Sequence, residues 1–172
     1  MKDAPSTARH LEGFGLRTLV PGGWDARLRR RRPTTPGETA HPLLHMANFR
    51  LPAIAAGDYG SDVVAHMRSH HLLVVLKEFG EELAGRGLYA HTKLPWPLHE
   101  RMANPQGLQR TLAGQAGIQK FFTHEGRAFC LYVVLGAHRE RHALIEQTNQ
   151  VLAHVHIGPA DPSHTAHYVA QH

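Results

Sequence analysis

Cysteine is nearly absent from this chain of 172 residues: Cys130 stands alone, so no disulfide can close within it, and a reducing compartment fits. Long apolar runs are missing too. No stretch approaches the ~20 apolar residues that a membrane-spanning helix needs, and the opening MKDAPSTARHLEGFG holds no apolar core of the kind a secretory signal carries. These absences predict a soluble protein of the cytoplasm with no membrane partner. Reaction-specific motifs are also lacking. There is no GxSxG, Walker loop or GxGxxG, and the pairs Gly13, Gly15 and Gly22, Gly23 have neither the spacing nor the strand-to-helix setting that phosphate binding requires. No catalytic residue and no cofactor are therefore expected.

Apolar residues make up 42% of the chain, a globular share, and the length suits one domain that buries roughly 70% of its unfolded surface. Net charge is +5, carried by 15 Arg against 4 Lys. That imbalance, with abundant alanine and glycine, has the look of a high-GC genome such as an actinomycete's. It weakens the case for nucleic acid as the partner. Histidine is the compositional outlier, at 16, and uptake of a proton by all of them would carry the net charge from +5 toward +21. Self-repulsion then predicts a fold that loses stability between pH 7.5 and 5.5.

The stretch IQKFFTHEGRAFCLYVVL, residues 118–135, predicts two strands joined by the turn His124, Glu125, Gly126 and Arg127. In the second, Phe129, Leu131, Val133 and Leu135 point one way and Cys130, Tyr132 and Val134 the other, so both faces need cover and the strand is central. HLLVVLKEF, residues 71–79, has the same two-faced character and is expected beside it. Residues 14–20 and 24–30 read as a hairpin around Pro21, Gly22 and Gly23, and residues 41–51 as a further strand. Ser61 is placed to start a short helix. Residues 80–117, rich in glycine and proline, form a long crossing. The clearest helix spans residues 138–154, and Leu144, Ile145, Thr148, Val151, Leu152 and Val155 recur at steps of three and four. Asn149 falls beside that stripe and needs a partner for its amide. Residues 1–13 read as a flexible arm, 14–157 as the single domain and 158–172 as a flexible tail.

Four constellations compete as sites. Histidines four apart, as in His41 and His45, His66 and His70, His138 and His142, can share one zinc ion, yet HRERH lacks the HExxH glutamate placement and a third ligand is not evident, so no metal is expected. Cys130 with His124 across the hairpin would make a nucleophile, but apolar walls raise a thiol's pKa and core packing is favoured. The basic run Arg27 to Arg32 lacks aromatic neighbours for base stacking apart from Trp24, whose place is the core. There remains the segment LPWPL, where Pro95 and Pro97 fix an extended stretch that lays Trp96 over an open edge of the core, near Phe121 and Phe122. Leu94, Trp96, Leu98, Phe121 and Phe122 either line a groove for a peptide or small ligand or close the core, the commoner role of apolar aromatics; the contact surface is expected at Leu94, Trp96 and Leu98, assisted by Arg29, Arg30 and Arg31.

The order of elements, with a first strand running into Pro21, Gly22, Gly23 and Trp24, hairpins, the buried strand GRAFCLY and a last amphipathic helix, resembles the PsbP and Mog group over about residues 14–157. The resemblance implies an α/β (α+β) fold, a mostly antiparallel sheet covered by helices, with the C-terminal amphipathic helix packed on the sheet. Members of that group mostly act by binding another protein, as adaptors or assembly factors. A non-catalytic protein-binding or accessory role is the expectation, and its rival is an enzyme or sensor that holds a metal through clustered histidines.

Overall fold

The computed structural model describes residues 7–30, 35–37, 39–53, 58–163 and 165–170. Nine strands are distributed over two antiparallel sheets. The larger contains β3 (Asp25–Arg30), β4 (Pro42–Ala47), β5 (Leu72–Gly80), β6 (Ala116–His124) and β7 (Arg127–Leu135), in the spatial order β3-β4-β5-β7-β6. β6 and β7 form a hairpin closed by Glu125 and Gly126, both at positive φ, the pair of conformations whose twist matches a two-residue turn. All nine residues of β7 are buried, and its other neighbour is β5, as the shared two-faced pattern of the two strands requires.

That alternation divides the interior in two. Leu72, Val74 and Leu76 of β5 and Phe129, Leu131, Val133 and Leu135 of β7 face one core, while Leu73, Val75, Cys130, Tyr132 and Val134 face another. The first core is closed by the smaller sheet, made of β1 (Arg9–Gly13), β2 (Leu16–Val20), β8 (His156–Ile157) and β9 (His167–Tyr168) in the order β8-β2-β1-β9, together with helix α2 (Arg141–Leu152). Leu144, Ile145, Thr148, Val151 and Leu152 form the buried stripe of α2, and Thr148 Oγ1 turns its hydroxyl back to Leu144 O at 2.7 Å. The second core is closed by the short helix α1 (Ser61–Val64) and by irregular chain bearing Leu51, Leu108, Phe49 and Leu112.

A sheet covered by helices is therefore not what this sequence forms. Among the described residues α2 is the one helix of more than two turns, and it shares its face of the large sheet with a second sheet. The cause lies in the short strands at either end of the chain. Leu11 is the single buried residue of RHLEG, and the outer neighbours of β1 and β2 are strands more than 130 residues away, so neither pattern nor proximity announces a sheet. The stretch expected to be an arm accordingly supplies β1, and the stretch expected to be a tail supplies β9. Residues 14–20 and 24–30 do not pair with each other either. β2 pairs back onto β1 through a turn at Phe14 and Gly15, and β3 joins the larger sheet.

One buried ion pair ties these parts together. Arg127, 1% exposed, places Nε 3.0 Å and Nη2 2.6 Å from the two carboxylate oxygens of Glu78, and its remaining N–H groups donate to the carbonyls of Phe14, Gly15 and Gly158. All five guanidinium donors are engaged. The first turn, strands β5 and β7, and the chain leaving β8 meet at this one side chain. Gly15 is part of the same arrangement: its φ is +73°, and a Cβ there would overlap the Pro159 carbonyl oxygen.

Candidate functional site

The segment 94–98 is held at both ends. Before it, Lys93 N donates to Thr123 O and Thr123 N to His91 O, both at 2.7 Å, which extends the edge of β6, and Leu94 N donates to His124 Nδ1 at 3.2 Å. At its far end the amide of Asn149 supplies the partner that the helix stripe called for. Leu98 N donates to Asn149 Oδ1 at 2.7 Å and Asn149 Nδ2 donates to Leu98 O at 2.8 Å, so a side chain of α2 pairs with the segment as a neighbouring strand would. The next backbone group is used too: Trp96 Nε1 donates to Asn149 O at 2.9 Å.

These bonds fix Trp96 while leaving 52% of it exposed, in contrast to Trp24, which is buried in the first core. Leu98 is buried and Leu94 partly so, both packed against the first core. Of the three apolar residues expected to form a contact surface, two close the core and Trp96 alone faces outward. Phe121 and Phe122 take no part, since they belong to opposite faces of the large sheet.

Beside Trp96 runs a groove of about 690 Å³. Leu98, Ile145 and Ala153 give it an apolar floor, and Glu100, Glu146, His99, His142 and His154 surround it. His142, Ile145, Glu146, Asn149, Gln150 and Ala153 are spaced three and four apart, so one ridge of α2 and the turn after it forms a whole wall. The rest of the lining, Trp96, Leu98, His99 and Glu100, comes from the segment that leads into the 3-10 turn Glu100–Met102, where His99 Nδ1 accepts from Arg101 N. His142 Nδ1 lies 3.1 Å from Glu100 Oε2 and bridges the walls.

The arginines lie elsewhere. Arg30 is on edge strand β3, donates to Asp161 O at 2.8 Å and stacks 4.7 Å from the Phe14 ring centroid, lining a different cavity that shares no residue with the Trp96 groove. Arg29 is exposed on the same strand, and Arg31 lies outside the described residues. The structure does not bring Arg29 or Arg30 to Trp96.

Other reactive side chains are accounted for by packing. Burial pushes the Cys130 thiol up from its ordinary value, and the thiol is fully enclosed, while His124 is opposite Arg127 in the hairpin and occupied by Leu94 N. No thiol and imidazole dyad exists there. Tyr132 is buried with its hydroxyl accepting from Gln109 N at 2.8 Å. Among the described residues, no three histidine, cysteine, aspartate or glutamate side chains are grouped to hold a metal ion. Glu78 and Arg127 were not anticipated from sequence; the available signal is that each interrupts or borders an otherwise apolar strand.

No family model matches the chain, and no curated protein or solved structure matches it.

Proposed function

We propose that this protein is a non-catalytic accessory module of the cytoplasm that binds a segment of a partner protein in the groove between residues 94–100 and α2. The observation that carries this reading is Trp96: a large aromatic ring, half exposed, yet immobilised through its indole N–H on the backbone of Asn149. Such a ring loses little further conformational freedom on binding, which is why fixed tryptophans serve as anchors at interfaces. The apolar floor beside it accepts an aliphatic side chain. The resemblance of the element order to the PsbP and Mog group, without that group's helix-covered sheet, adds a precedent of proteins that act by binding, and no residue.

Selection of a displayed random-peptide library on the folded protein tests the reading. Recovered peptides are expected to carry an apolar anchor and to lose binding to Trp96→Ala, whose exposed site leaves the fold intact by circular dichroism. Peptides that bind Trp96→Ala as tightly as the parent protein would refute the groove as the docking site.

A further inference from the structure

The charge distribution narrows what the groove takes up. The chain has 19 Lys and Arg in total, yet among the described residues no Lys or Arg lines this groove, and its fixed charges are the carboxylates of Glu100 and Glu146. A patch of negative sign on a protein of net charge +5 is complementary to a cation. Trp96 points to the kind of cation. Elsewhere the fold seats its own positive groups on aromatic rings, Arg9 over Tyr168 at 4.0 Å, Arg30 over Phe14 at 4.7 Å and Lys77 over Phe79 at 4.8 Å. Among the described residues no cation lies over Trp96, although tryptophan is the strongest such acceptor.

We infer that the partner segment presents an arginine to this groove, its guanidinium stacked on Trp96 between Glu100 and Glu146 and an adjoining aliphatic side chain on the floor at Leu98 and Ile145. The inference rests on reading the groove as a docking site. Arginine suits it better than lysine because a planar, weakly hydrated guanidinium both stacks on indole and donates sideways to carboxylates. Glu100 Oε2 is engaged by His142 Nδ1, and among the described residues no donor is bonded to its Oε1.

The test is calorimetric titration of the full chain with four capped peptides of one sequence, two leucines flanked by three arginines, or by lysine, citrulline or glutamate in their place. Citrulline keeps the shape of arginine without its charge. The arginine peptide is expected to bind about tenfold tighter than the citrulline peptide and severalfold tighter than the lysine peptide, with the glutamate peptide weakest. The double variant E100Q/E146Q is expected to lower the arginine-to-citrulline ratio severalfold, leaving the share that stacking on Trp96 contributes. A citrulline peptide that binds as well as the arginine one, or a preference undiminished in E100Q/E146Q, overturns the inference. If all four bind alike and W96A abolishes them together, the groove reading stands and the arginine does not. Binding that persists in W96A, or no binding by any peptide, overturns both.

Discussion

Acid should destabilise this fold through His45 more than through any general accumulation of charge. His45 lies on β4 and is 2% exposed, with Nε2 2.8 Å from the Asp58 carbonyl oxygen. A carbonyl only accepts, so the ring's proton is held on Nε2, and Nδ1 is buried with no partner among the described residues. A second proton would have to sit on that orphaned nitrogen. Burial, reinforced by the nearby guanidinium of Arg29, outweighs the hydrogen bond to Asp58 and pushes the imidazole down to about 4. The unfolded chain binds this proton near the ordinary value of 6.5 and the native protein does not until about 4, so stability is full above pH 6.5 and is lost as pH falls toward 4. At ~1.36 kcal/mol per pH unit the full loss is about 3 kcal/mol, and about 2 kcal/mol is gone by pH 5. For a domain of this size that corresponds to a fall in Tm of roughly 4–8 °C. Urea unfolding followed by circular dichroism between pH 7.5 and 5.0, on the parent and on His45→Gln, isolates the effect. Glutamine keeps a donor for Asp58 and does not titrate, and the other histidines are common to both proteins. The parent should lose about 2 kcal/mol more than the variant over this range. Equal losses, or a greater loss in His45→Gln, would refute the assignment.

Arg127→Met leaves Glu78 buried without its counter-charge and removes the guanidinium donors to Phe14 O and Gly158 O, and should cost about 3–5 kcal/mol in urea unfolding. Adding Glu78→Leu should recover part of that loss; a double variant worse than Arg127→Met alone would show that the pair is not the origin. Asn149→Ala removes both bonds to the Leu98 backbone and should cost about 2 kcal/mol, with the emission of Trp96 shifting to the red as the segment loosens. An unchanged spectrum and unchanged stability would mean the segment is held by its proline and leucine packing instead. The Cys130 thiol, enclosed and pushed up by burial, should react with an aromatic disulfide reagent at pH 8 only upon unfolding, which absorbance at the released thiolate reports directly.

What could be read in the sequence was what hydrophobic periodicity encodes. β5 and β7 are apolar on both faces because both faces are covered, and their alternation sorts residues into the two cores correctly even though the covering layers were misjudged. The stripe of α2 was legible for the same reason, and Asn149 stood out because an amide beside a buried stripe must be bonded. Its partner was not deducible, since Leu98 contributes backbone rather than side chain and the contact spans 51 residues. The small sheet was hidden by its brevity: two-residue strands such as His156–Ile157 and His167–Tyr168 have no period to detect. Trp96 was marked as a surface candidate by the stiff prolines around it, but which of its apolar neighbours turned inward depended on the helix it meets.

During synthesis, β3 to β7 find all their ladder partners within residues 25–135, so the five-stranded sheet can assemble once that stretch has left the ribosome. β1 and β2 emerge earlier still, yet the neighbours that flank them, β9 and β8, are made only after all five strands of the larger sheet. Between those moments a broad apolar surface waits uncovered, and intermolecular association competes with closure. Closure of the first core therefore waits until residues 141–157, which carry Leu144, Ile145, Val151, Leu152 and Ile157, have reached the solvent.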